Sequence, residues 1–116
     1  MAVKRAKRNG NGRTLYLGVD GGGTKTHIAL MTAKGEIKGE AFSGPANPLR
    51  VGVETAVANI VKAVNDACDD GRVSRLDINA ATLGLAGVRR IDQRQRVRDR
   101  FITSLGIRNI FVTMHQ

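Results

Sequence analysis

The sequence predicts an α/β domain, a mixed five-stranded sheet with helices packed on it, in the chain order β-β-β-α-β-α-β. Three observations carry this. Three apolar segments follow one another closely between residues 14 and 42, and connections that short allow only an antiparallel meander. Two later segments repeat apolar residues at helical spacing. Strand-like runs sit between and after those two, and strands joined through helices run parallel with right-handed crossovers. One modest core is what 116 residues can build.

Along Thr14–Asp20, Leu15, Leu17 and Val19 point one way and Tyr16, Gly18 and Asp20 the other, so the strand presents Asp20 at its far end. Thr26–Thr32 is a second strand around Ile28, Ala29 and Leu30. Gly35 can take positive φ in the turn that follows. Ile37–Phe42 is a third strand, weakened by Gly39. Ser43 to Pro48 is a loop with two prolines. Val53, Val57, Ile60, Val61, Val64 and Cys68 then mark a helix, with Gly71 as its stop. Residues 78–86 are small and apolar on both faces, as in a central strand covered on both sides, and Gly87 ends the run. Asp92 can cap a second helix with Val97, Phe101, Ile102 and Leu105 as its stripe and Gly106 as its stop. Ile107–Thr113 is the last strand. The first strand lies near the middle of this sheet.

Composition narrows the function classes. The net charge is +9, of which Lys4, Arg5, Lys7, Arg8 and Arg13 supply +5, leaving +4 for the other 103 residues. Residues 1–13 therefore read as a disordered, solvated basic tail. No aromatic is interleaved there to stack on bases, so nucleic acid is not the expected partner. No apolar run is long enough to span a membrane and no secretory h-region is present. The cytoplasm is the default placement. Cys68 is the single cysteine, which excludes an internal disulfide framework and a cysteine-cluster metal site.

The stretch with most chemistry is Leu17-Gly-Val-Asp-Gly-Gly-Gly-Thr-Lys-Thr26, read as strand, tight turn, strand. Glycine permits positive φ and close approach of a ligand to the backbone, and successive N–H groups in such a turn form an anion-binding concavity. Asp20 beside it offers a hard oxygen ligand for a divalent cation. Together they point to a phosphate with its magnesium. The P-loop is excluded, because Thr24 stands where its lysine belongs. The dinucleotide fingerprint is excluded, because Thr26 stands where its third glycine belongs. Ligands of open α/β sheets bind beyond the carboxyl ends of strands, where Asp20 and Gly87 both lie.

This element order and the 17–26 stretch resemble the sugar kinase/actin/Hsp70 superfamily, whose halves have a ribonuclease-H-like fold. More narrowly, with Gly44-Pro-Ala-Asn-Pro-Leu-Arg-Val-Gly52 and Leu83-Gly-Leu-Ala-Gly87, the chain resembles the BadF/BadG/BcrA/BcrD-type ATPases, in their N-acetylglucosamine and glucosamine kinase branch. The resemblance implies ATP and Mg2+ as cofactors and an amino sugar as substrate. It implies a phosphate-binding turn at Gly21, Gly22, Gly23, Thr24 and Lys25, a magnesium-side acid at Asp20, and sugar contacts at Asn47 and Gly87. On the residues alone, Asn47 before Pro48 reads first as a helix cap.

The chain also departs from the family pattern. Val112-Thr113 matches the approach to a second phosphate motif, but Met114 and His115 follow where the family carries the aspartate that serves as general base. The second half of the fold, with the adenosine motif, has no counterpart. Phosphoryl transfer depends on positioning between closing parts. The resemblance therefore implies that residues 14–116 form the N-terminal ribonuclease-H-like ATPase subdomain of a kinase, with the second domain absent and catalysis incomplete. Self-association through the exposed half-interface is a further expectation.

Arg89, Arg90, Arg94, Arg96, Arg98 and Arg100 crowd one short segment that runs into the second helix. They read as a solvated face whose arginine stems cover apolar surface. A ribonuclease-H-type nuclease on the same fold would need several converging carboxylates, and only Asp20 lies at a suitable strand end. Two rival functions remain open: an ATPase activator of a redox enzyme, and a nonenzymatic basic binding module.

Overall fold

The computed structural model describes residues 14–86, 91–107 and 109–114. The predicted basic tail, Gly87, Arg89, Arg90 and His115 lie outside the described residues. The elements are β1 (Leu15–Gly21), β2 (Thr26–Thr32), β3 (Ile37–Ser43), a short helix α1 (Pro48–Val51), the long helix α2 (Val53–Gly71), a 3-10 turn (Arg75–Asp77), β4 (Ile78–Leu85), α3 (Ile91–Leu105) and β5 (Asn109–Met114). The sheet order is β3-β2-β1-β4-β5, with β1 central. β1, β2 and β3 pair antiparallel, while β4 pairs parallel with both β1 and β5. This is the predicted meander followed by two helical crossovers.

Alternation along the strands builds one core. Leu15, Leu17 and Val19 of β1, Ile28 and Leu30 of β2, Ala81, Leu83 and Leu85 of β4 and Ile110 of β5 are buried against Val57, Ile60 and Val64 of α2 and Val97, Phe101 and Leu105 of α3. Both helices cover the same side of the sheet. The expectation that 78–86 is covered on both faces is therefore corrected, because Asn79 and Thr82 of β4 are exposed. The run looks two-sided because its outward positions are occupied by small residues, Ala80 and Gly84.

Several local readings change in the structure. Gly39 is buried within β3 and sits at an irregularity of the β2–β3 ladder, where Leu30 faces Gly39 and Met31 faces Ile37. α2 continues through Gly71, and the left-handed residue that ends it is Arg72 at φ 54°. Gly71 stays glycine because α2 and β3 touch there, with its added Cβ falling 3.2 Å from Gly39 Cα. Asp92 lies within the first turn of α3 rather than before it. Gly35 takes the positive φ read for its turn, and Gly106, the stop read for the second helix, also takes one. The α2 stripe is also broader than its large residues indicated, with Ala56, Ala63 and Ala67 fully buried. Alanine lets the helix axis approach the sheet closely.

The arginines of α3 are partly structural. Arg100 Nη2 donates to Glu54 Oε1 at 2.7 Å, tying α3 to α2. Arg98 Nε donates to the Ile110 carbonyl at 3.1 Å, tying α3 to β5. Cys68 is only 6% exposed, and burial pushes its thiol above the usual range, against the opposing pull of Arg75. The folded thiol thus keeps its proton to higher pH than the unfolded one. Its contribution to stability is present below the ordinary thiol range and is lost as pH rises through the raised value. A thiol reagent at neutral pH is expected to label native chain many-fold more slowly than urea-unfolded chain; equal rates would contradict this burial.

Candidate functional site

The site grows from the end of β1. Asp20 is exposed there, with His27 of β2 and Gly84 of β4 as its register neighbours. After Gly21 the chain turns over Gly23-Thr24, closed by the Gly22 N–H donating to the Lys25 carbonyl at 2.9 Å. None of the three glycines takes a positive φ, which corrects the first reason offered for them. Their reason is space, and it differs by position. A Cβ on Gly21 would fall 2.6 Å from Leu85 Cδ2 and 3.0 Å from Ala46 Cβ. On Gly23 it would meet only Arg50 Nη1, at 3.7 Å.

Two backbone hydrogen bonds draw the other motifs onto this turn. Ala46 N–H donates to the Gly22 carbonyl at 3.1 Å, and Ala86 N–H donates to the Gly21 carbonyl at 2.9 Å. The turn, the 44–52 loop and the end of β4 therefore meet at one point of the sheet edge. Asn47, one residue beyond Ala46, caps α1: its Oδ1 accepts from Leu49 N–H at 2.9 Å, with Pro48 opening the helix. That leaves its amide NH2 as the end that can donate to a ligand.

Sequence reasoning missed the groups that hold the loop in place. Thr26, fully buried, donates from Oγ1 to the Gly44 carbonyl at 2.7 Å. Asn59 of α2 donates from Nδ2 to the Pro45 carbonyl at 2.7 Å, and Ser43 Oγ donates to the Asn59 carbonyl at 2.6 Å. Asn59 falls outside the buried stripe of α2, so the helical spacing carried no signal for it. Lys25 goes elsewhere than expected, with its ammonium 5.4 Å from the centroid of the Phe42 ring. Phe42 also stacks on His27 at 4.6 Å, and His27 Nε2 lies 2.7 Å from Glu40 Oε2. His27 thus belongs to an exposed cluster on the sheet face.

Beside the turn, a shallow hollow of about 370 Å³ opens on the face that the helices leave bare, lined by Gly18, Asp20, His27, Thr82, Gly84 and Thr113 among others. Two of these are glycines, one of them Gly84, the register neighbour of Asp20 on β4. Among the described residues no group of three His, Cys, Asp or Glu side chains converges. Magnesium keeps several waters and takes one or two carboxylates plus substrate phosphates. Asp20 would be its protein ligand here.

Residues 17–115 match the BadF/BadG/BcrA/BcrD ATPase family. The chain belongs to that family. Among curated proteins it is 41% identical over 71 residues to the glucosamine kinase GspK of Vibrio cholerae serotype O1, covering 61% of this chain and 24% of that protein. Among solved structures it superposes on one described as an N-acetylglucosamine kinase from Chromobacterium violaceum with a TM-score of 0.72 at 20% identity, covering 89% of this chain and 35% of that one. It also superposes on a ROK family glucokinase from Streptomyces griseus, solved with glucose and AMPPNP, with a TM-score of 0.64 at 24% identity, covering 86% of this chain and 33% of that one. The fold is thus the actin-like, ribonuclease-H-like half found in sugar kinases. The chain spans about a quarter of the length of GspK and about a third of the solved kinases. As a BadF/BadG/BcrA/BcrD protein it belongs to an ATP-using family. No helix among the described residues is long and apolar enough to cross a membrane.

Proposed function

We propose that this chain forms the magnesium-nucleotide and sugar-facing wall of an ATP-dependent amino-sugar kinase. The observation that carries the reading is the meeting of three segments at the end of β1, made by the Ala46–Gly22 and Ala86–Gly21 hydrogen bonds. Gly23 and Thr24 offer backbone N–H groups to the ATP phosphates, and Asp20 holds the magnesium, directly or through water. Asn47 turns its amide toward the sugar. Magnesium supplies charge neutralisation at the transferring phosphate. The protein's share is to present donors that need no rearrangement when that charge develops. The 41% identity to a glucosamine kinase supports an amino sugar as the acceptor.

Calorimetric titration of the 116-residue chain tests this. Mg·AMPPNP is expected to bind, and Asp20→Asn is expected to remove the dependence on magnesium. Glucosamine or N-acetylglucosamine is expected to bind more tightly than glucose. Absence of nucleotide binding at millimolar concentrations would overturn the proposal.

A further inference from the structure

We infer that Arg50, which no site motif assigns, is the cationic clamp for the nucleotide polyphosphate, in place of the motif lysine Lys25. The inference rests on the proposed nucleotide site and adds to it the residue that supplies the charge. α1 exists to place this side chain. Asn47 caps it, Pro48 opens it, and Gly52, at φ 86°, donates its N–H to the Pro48 carbonyl and ends it after one turn. The whole segment is moored to the phosphate turn through the Ala46–Gly22 hydrogen bond of 3.1 Å. Arg50, on that single turn, carries its guanidinium to Gly23, with Nη1 3.7 Å from where a Cβ on Gly23 would lie.

Three further points favour a phosphate. No ion pair ties Arg50 to an acid among the described residues, whereas Arg98 and Arg100 have Asp99 and Glu54. Arg50 is exposed, so it can engage a ligand without unpacking the core. A guanidinium offers a planar fork of five donors that matches phosphate oxygens two at a time. Lys25, by contrast, sits over the Phe42 ring on the β3 side of the turn. Backbone N–H groups of the turn and the Arg50 fork therefore face a phosphate from two sides.

The test is titration of Mg·AMPPNP into wild type, Arg50→Ala, Arg50→Lys and Lys25→Ala, each checked for its thermal unfolding midpoint, with glucosamine titrated in parallel. Arg50→Ala is expected to weaken nucleotide binding by about tenfold to a hundredfold, the range for losing a charge-assisted hydrogen-bonding group. Arg50→Lys is expected to recover only part of this, because an ammonium lacks the fork. Lys25→Ala is expected to change affinity by less than about threefold, since its ammonium lies over the Phe42 ring. Glucosamine affinity in Arg50→Ala is expected to match wild type. Should Arg50→Ala not fold, Arg50→Lys and Arg50→Gln carry the comparison. Wild-type nucleotide affinity in Arg50→Ala, or a larger loss in Lys25→Ala, would overturn the clamp and leave the nucleotide site standing. No nucleotide binding by wild type would overturn both.

Discussion

Alanine at position 39 is expected to lower the stability of the chain by more than about 3 kcal/mol, a large share of the 5–15 kcal/mol that holds a domain of this size. Gly39 lies where α2 crosses β3, and a Cβ there would run into the Ala67 carbonyl oxygen and lie 3.1 Å from Gly71 N. The contact is reciprocal, since a Cβ on Gly71 would run into the Lys38 carbonyl oxygen. Overpacking usually costs about 1–3 kcal/mol because side chains can rotate away. Here the obstacle is backbone on both sides, so the helix itself would have to lift. Lifting it would open the interface that Ala63, Val64 and Ala67 close. Gly35→Ala is the control: it has nothing within 4 Å but sits at φ 87°, so it carries a local penalty of about 1–2 kcal/mol with no clash. Urea unfolding of both variants decides the matter, and a Gly39→Ala midpoint equal to that of Gly35→Ala would refute the packing argument.

Gly39 also shows where sequence reading stops. A glycine in a strand lowers strand propensity, and nothing in the local pattern says that a helix 30 residues later will rest on it. Its partner, Gly71, looked like a helix stop for the same reason. Strands, helices and their order were legible because alternation and helical spacing are written in consecutive residues, as Leu15, Leu17 and Val19 show. The parallel and antiparallel pairing followed from connection lengths. The strand end at Asp20 and the turn over the three glycines were legible because apolar alternation stops there and small residues follow it. Asn47 was legible in both of its possible roles, and the cap is now seen in place. What holds the loop was not legible. Thr26, Asn59 and Ser43 act through hydrogen bonds to backbone carbonyls 14 to 18 residues away. Such pairings depend on tertiary approach and leave no spacing in the sequence. The same holds for Arg50, whose nearness to Gly23 is created by a one-turn helix that the loop composition concealed.

Alanine at position 21 and alanine at position 23 are expected to fail in different ways, and the difference separates fold from function within a single motif. At position 21 the new methyl would meet Leu85 Cδ2 at 2.6 Å and Ala46 Cβ at 3.0 Å. Leu85 can rotate away, but Ala46 belongs to the loop moored on Gly22. Gly21→Ala should therefore cost about 1–3 kcal/mol in urea unfolding and loosen the loop as well. At position 23 the methyl would touch only the Arg50 guanidinium at 3.7 Å, an ordinary contact, and the backbone there is not left-handed. The fold does not require glycine at 23. In the proposed nucleotide site its bareness would leave a phosphate free to reach the N–H groups of the turn, which a methyl would hold off. Gly23→Ala is thus expected to unfold within about 1 kcal/mol of wild type, the scale of a glycine-to-alanine change at a permissive site. Its Kd for Mg·AMPPNP is expected to rise about tenfold or more, equivalent to a loss of about 1.4 kcal/mol. Stability and binding measured on both variants give the full contrast. If Gly23→Ala bound nucleotide as wild type does, the turn would be a bare hairpin at that position. If it unfolded as readily as Gly21→Ala, the glycine would be a packing residue after all.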